Sequence, residues 1–217
     1  MTYLEASEAQ IARPEFAKPM LVLVVVWLFA IVLLGRAGVF HTAPSDPPAL
    51  TLLAMLLPPL LFLFAMRLSW FRTHVLSINP IWLNGMQGLR ILGAGFLFVA
   101  AYGHLPVIFA FFAGWGDVLV AFLAPLVVVK LAANRAFLAS PRYLAFHIIG
   151  LLDFVGAVLS GLVSRGTIPF VAEPQSTAAL ASLPLLLIPC FAVPLWICLH
   201  IAALAQRREF MKSQRGG

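Results

Sequence analysis

Residues 107–127, VIFAFFAGWGDVLVAFLAPLV, run for 21 positions with one charged side chain, Asp117. A helix rising about 1.5 Å per residue needs about 20 such positions to cross a hydrocarbon core about 30 Å thick. Residues 143–163, YLAFHIIGLLDFVGAVLSGLV, repeat the pattern with one acid near the middle, Asp153. Four more stretches have this length and character, at 20–39, 50–71, 85–103 and 182–204. Lipid offers no partner to an open backbone, and the runs are too continuously apolar for barrel strands. The sequence therefore predicts an all-α polytopic membrane protein, a single domain of six transmembrane helices with short loops.

Composition agrees. Only 10% of the 217 residues are charged and 62% are hydrophobic, against about 25% charged in an ordinary soluble domain. Net charge is +6, but the few bases form no patch that would follow a phosphate backbone, so nucleic acid is excluded as a partner. The lipid bilayer is the partner the composition names.

The bases also orient the chain. Arg13 and Lys18, then Arg67, Arg72 and Arg90, then Lys130, Arg135 and Arg142, then Arg207, Arg208, Lys212 and Arg215 fall on one side of a six-span topology. Only Arg36 and Arg165 fall on the other. The positive-inside rule then puts residues 1–18 and 206–217 in the cytoplasm as tails. Five or seven spans would spoil the segregation. The first span is read as a retained anchor, because it is too long for a signal peptide and its leading segment mixes acids with bases.

The connections leave no room for a soluble domain. The longest on the sparsely charged side are residues 41–50 and 164–181. Residues 72–88, RTHVLSINPIWLNGMQG, read as an interfacial segment interrupted by Pro80 and two asparagines. Cys190 and Cys198 are eight positions apart in the last span. They point about 80° apart, cannot bridge, and read as small hydrophobes.

Asp117 and Asp153 have no such topological reason for their places. Each sits ten residues into its span, and the spans run in opposite directions, so the carboxyls share a depth near the bilayer midplane. Their surroundings match as well: GWGDVLVAFLA (114–124) and GLLDFVGAVLS (150–160) share G-x-x-D-x-x-x-A-x-x-[AS]. Offsets of 0, 3, 7 and 10 lie on one helical stripe, and small residues there let helices approach closely. The expected geometry sets the Gly114 and Gly150 stripes face to face with the carboxyls between them. A mid-membrane charge costs about 2.5–3.5 kcal/mol on insertion scales. Two facing acids therefore share a proton, hold a cation, pair with a base, or stay protonated as hydrogen-bonding glue.

Other polar groups lie near this pair. Arg90, with Gln87 one turn earlier on the same face, either snorkels to the cytoplasmic interface, the commoner fate, or turns inward to Asp153. His147 lies six residues before Asp153, off its face, so a shared site needs a bridging helix. His200 ends the stretch IPCFAVPLWICLH, where Pro189 and Pro194 continue a five-residue spacing begun at Pro184. Prolines here, at Pro125 and at Pro58 and Pro59 free helix carbonyls. They read either as packing kinks or as the lining of a cytoplasm-facing cavity that includes His200.

No HExxH, GxSxG, P-loop or dinucleotide fingerprint occurs. An enzyme is the less favoured class, and the residues name no cofactor. Zinc is conceivable by ligand type through Asp117, Asp153, His147 and His200, although none of them has i to i+4 spacing. A haem would have only His147 and His200 as axial partners. His41 and His74 read as loop or interface residues.

AGWGDVLVAFLAP (113–125), GLLDFVGAV (150–158) and PLLLIPCFAVPLWICLHIAAL (184–204) resemble an uncharacterised family of small bacterial six-span membrane proteins. The resemblance covers about the C-terminal half. It implies a bacterial inner membrane and weight on the Gly-Asp and Pro-to-His elements, and it supplies no activity. Three functions stay open. One is proton- or cation-coupled transport of a small solute, with Asp117 and Asp153 as the site, His200, Arg90 and Gln87 beside it, and a homodimer compatible with so small a bundle. The others are a structural or accessory membrane protein and a membrane-embedded metal or cofactor enzyme.

Overall fold

The computed structural model describes residues 17–43, 46–167 and 175–215. Glu5, Glu8, Arg13, Glu15 and Glu173, together with the middle of the 164–181 connection, lie outside the described residues. Among the described residues there is no strand, and helix dominates.

Helix α1 spans Ala17–Arg36 and ends before Gly38, whose φ of +74° turns the chain. Helix α2, Ala49–Ala65, continues as helix through Pro58 and Pro59, so this pair does not end it. Helix α3, Ser69–Ser77, follows at 105° to α2. Val75 on α3 is fully buried, so the segment read as interfacial has one face packed into the bundle.

Pro80 opens the next helix rather than breaking one. Proline at the first helical position loses no hydrogen bond, since that N–H is an orphan anyway. The Asn79 side-chain oxygen accepts from Ile81 N–H at 2.9 Å and caps the start. From there α4 (Pro80–Gly85), a 3₁₀ stretch (Met86–Gly93) and α5 (Ala94–Ala101) form one rod of 22 residues. The third apolar rod thus begins at Pro80 and not at Gly85.

Helix α6, Val107–Ala133, passes through Pro125 without a break. Ser140 caps α7, Pro141–Leu162, by accepting from Tyr143 N–H at 3.1 Å. A π-turn at Val163–Thr167 ends it. The last helix, α8, spans Val193–Arg215 after a π-turn at Ile188–Ala192. Residues 182–186 are bend and turn, so Pro184 and Pro189 shape the approach to α8 and Pro194 sits in its first turn. Pro189 and Pro194 thus lie near the start of the continuous Ile188–Arg215 rod. Residues 206–215, expected as a tail, continue α8 as helix.

Among the described residues four rods are long and apolar enough to cross a membrane: Pro80–Ala101, Val107–Ala133, Pro141–Arg165 and Ile188–Arg215. A fifth appears if the bent α2–α3 pair counts as one, whereas Met20–Arg36 is a shorter apolar helix. Outward faces carry bare hydrophobics such as Leu23, Phe29 and Phe122, which in water would be a liability and in lipid is the expected surface. Two apolar clusters bracket the centre of α6. Val120, Ala124 and Val127 belong to one, with Tyr143 and Phe146; Phe109, Ala110 and Ala113 belong to the other, with Phe96. Asp117 lies between them.

One polar clasp secures the bent segment. Gln206 Nε2 on α8 donates to the carbonyls of Val75, Leu76 and Ile78, the last at 2.6 Å, at the C-terminal end of α3, where carbonyls run short of helical partners. Leaving buried carbonyls unpaired costs about 1–3 kcal/mol. Q206L is therefore expected to lower the thermal unfolding midpoint in detergent by several degrees. An unchanged midpoint would show that the clasp contributes nothing.

Candidate functional site

The 3₁₀ stretch sets the site. At three residues per turn, side chains three apart eclipse, so Gln87, Arg90 and Gly93 form a row on one face of the rod. All three are buried, and Arg90 has no exposed surface at all. The arginine turns inward instead of snorkelling. Its stem begins mid-bundle, and partners on three other helices meet its head.

Arg90 Nε donates to Asp117 Oδ1 at 2.7 Å, and Nη2 donates to Asp153 Oδ2. Nη1 donates to the Gly150 carbonyl at 3.1 Å and to His200 Nε2 at 3.3 Å. The guanidinium lies 3.9 Å from the Phe154 ring centroid and 5.9 Å from that of Trp196. Trp196 is steered by its own Nε1, which donates to the Met86 carbonyl at 3.2 Å. Arginine suits this task because its planar fork reaches two carboxylates and stacks on a ring at once. His200 and His147 meet through their Nδ1 atoms at 2.7 Å.

Asp117 and Asp153 thus share one guanidinium and do not meet directly. With both acids ionised, the three groups would carry one negative charge in excess. The small-residue stripes also face elsewhere than expected. A Cβ on Gly114 would lie 2.7 Å from Leu97 on α5, and one on Gly150 would lie 2.5 Å from the His200 ring on α8. Glycines with no place in the matched motif make the room. A Cβ on Gly93 would overlap the Asp117 carboxyl, and one on Gly116 would overlap the Asp153 carboxyl.

A cavity of about 90 Å³ adjoins the acids. Its lining includes Asp117 and Asp153, the rings of Phe96, Phe109 and Phe154, and Arg165 and Thr177 about three turns beyond Asp153. It lies towards the 41–50 and 164–181 connections and lacks His200, which corrects the expectation of a cavity on the basic side. Arg165 ties its mouth to the 41–50 connection, donating to Thr42 Oγ1 at 2.7 Å, Ala43 O at 2.9 Å and Asp46 O at 3.1 Å.

Metal readings fare differently from the acid pair. Among the described residues no three His, Cys, Asp or Glu side chains gather as a set able to hold a metal ion. The guanidinium fills the space between the acids. The direct contact of His147 with His200 leaves no gap for a metal or macrocycle between them. Cys190 is buried in a separate apolar cluster with Leu186 and Ile31. Beyond the expected residues, the site includes Phe154, Trp196, Gly93 and Gly116. The row 87–90–93 was the one sequence signal, visible only at a 3₁₀ period.

The arrangement defines an all-helical protein with rods able to cross a membrane, organised about a buried Arg–Asp–Asp centre. Residues 47–207 match the family described as Domain of unknown function (DUF8737), and the chain belongs to it. Every residue of the centre lies inside the matched segment, whereas α1 lies outside it. No curated protein and no solved structure matches the chain.

Substitutions at the glycines and at the ion cluster separate fit from charge. G116A is expected to lower the unfolding midpoint in detergent markedly, since overpacking costs about 1–3 kcal/mol. G95A, with open space at its Cβ, is expected to change nothing. R90L strands two acids and is expected to destabilise by about 3–5 kcal/mol. D117N and D153N added together should recover part of that loss, and equal loss with and without them would exclude charge as its cause.

Proposed function

We propose that this chain is a six-span protein of a bacterial inner membrane, with both termini on the cytoplasmic side, that takes up and releases a proton on the Asp117 and Asp153 carboxyls bridged by Arg90 as a small solute occupies the adjoining cavity. The observation that carries the reading is the charge imbalance: two buried acids, one base and a cavity beside them. Adding one proton makes the centre neutral, and removing it restores a charge that low-dielectric surroundings penalise. Either change alters the cavity floor, because each carboxyl is both an Arg90 partner and part of the lining. Three phenylalanine rings favour a solute with an apolar body. The excess negative charge favours a single cationic or hydrogen-bond-donating group on it. Support for the topology comes from the segregation of 12 of the 14 basic residues.

A second reading has its own observation. Arg90 already gives both acids a partner, so the centre can serve as packing contact in an accessory membrane protein. Both readings meet one experiment. Purified wild-type protein, D117N and D153N are reconstituted in proteoliposomes and proton flux is followed under a pH gradient, with small alkylammonium ions and their neutral isosteres as solutes. Proton-linked flux in wild type that falls at least tenfold in either variant supports the proposal. Flux equal in all three overturns it. No flux in wild type, with variants that fold less stably, supports the packing reading.

A further inference from the structure

The hydrogen-bonding pattern around Arg90 fixes the protons on both histidines. A guanidinium has donors only, so His200 Nε2 accepts from Arg90. An imidazole that accepts at Nε2 carries its proton on Nδ1. His200 Nδ1 therefore donates to His147 Nδ1 at 2.7 Å. His147, accepting at Nδ1, must hold its own proton on Nε2. That N–H is buried, and no described residue accepts from it.

Two buried acceptors nearby are equally without partners, Asn84 Oδ1 and Gln87 Oε1. Asn84, Gln87 and His147 all have 0% exposure. They also lie at one level of the bundle. Asn84 Nδ2 donates to the Tyr143 hydroxyl at 3.2 Å, one turn before His147 on α7. Arg90 on the same rod bonds the Gly150 carbonyl, one turn after His147. The two rods thus run in register, and Gln87 and His147 both fall between those two levels. Gln87 Nε2 itself donates to the Trp196 carbonyl at 3.3 Å, one turn before His200 on α8.

One unmet donor and two unmet acceptors are the complement of a single water, which accepts once and donates twice. Buried waters make about three hydrogen bonds, to polar groups that the protein leaves unsatisfied. We propose that Asn84, Gln87 and His147 hold a buried water molecule, the terminus of a directional hydrogen-bonded chain that reaches Arg90 from the side away from the cavity. The chain runs Arg90 to His200 to His147 to water, each group donating to the next, and the water donates to Gln87 and Asn84. On α7 the cavity lining begins at Asp153, whereas His147 and Tyr143 precede Gly150. The guanidinium is therefore the partition between an apolar cavity and a hydrated polar pocket. This assignment goes beyond the proton-handling reading and does not depend on it.

Nuclear magnetic resonance on the full chain with ¹⁵N-labelled histidine in nanodiscs tests it. The expected result is a proton on Nε2 of His147, a proton on Nδ1 of His200, and magnetisation transfer between the His147 Nε2 proton and water. A proton on Nδ1 of His147, or no transfer to water from a correctly protonated ring, would overturn the proposal in wild type alone. In Q87L with Asn84→Leu the water signal should vanish while His200 keeps its Nδ1 proton. Persistence of the water signal there overturns the assigned acceptors. The ring protonation and the water signal are read without any flux measurement, in wild type as well as in the variant, so the two proposals fail separately.

Discussion

A guanidinium with no exposed surface, in the middle of a bundle built almost wholly from hydrocarbon side chains, sets the conditions that the surrounding structure meets. Arginine stays charged in proteins, so Arg90 cannot escape the desolvation penalty by losing a proton. Every donor it presents needs an acceptor, and the bundle supplies them from three helices: Asp117 from α6, Asp153 and the Gly150 carbonyl from α7, His200 from α8. Those acceptors can approach only where backbone is bare. Gly93 and Gly116 give the carboxyls their space, and Gly150 gives it to the His200 ring. The 3₁₀ stretch then has a reason, because its tighter turn aligns Gln87, Arg90 and Gly93 towards those partners.

Much of this was legible in the sequence, and the boundary of legibility is physical. The long apolar runs show because hydrophobic length is a property of each segment alone. Asp117 and Asp153 stood out for the same reason: an acid in mid-run has no local excuse. The rod starting at Pro80 was hidden because proline and asparagine are turn signals in isolation and start signals only when a cap forms. What Arg90 does was hidden because snorkelling and inward turning differ by partners on other helices, which no local pattern records. The glycine match around the two acids was real as a pattern, yet Gly116, outside it, does the work of admitting Asp153. Spacing shows which residues share a face. It does not show which helix that face meets.

The position of the cavity follows from the same logic. On one side of Arg90 the lining is phenyl rings with two carboxyls; on the other, amides, a phenol and imidazoles crowd between α4, α7 and α8. Prolines expected to kink the last span instead end the irregular stretch before α8, and the π-turn at Ile188–Ala192 lies along the cavity wall. Backbone irregularity inside lipid is tolerated where protein or a cavity surrounds it. The non-α segments around the centre fit that rule. The 3₁₀ stretch is covered by α6, and the π-turn by α2 and the cavity.

Stability alone is a poor account of such a centre. Replacing a buried ion cluster with apolar residues of similar volume is often neutral, or stabilising by about 1–4 kcal/mol. In lipid the gain from pairing is further reduced, because an unfolded segment in the membrane also finds partners for its polar groups. A packing role would be met more cheaply by leucine, phenylalanine and alanine, which already form the clusters on either side. The centre also carries an acid more than its base can balance, and a centre selected for packing gains nothing from that surplus. A surplus acid beside a cavity is what the proposed proton site would need, and for that reading the asymmetry of two acids to one arginine weighs more heavily than the presence of the ion pairs.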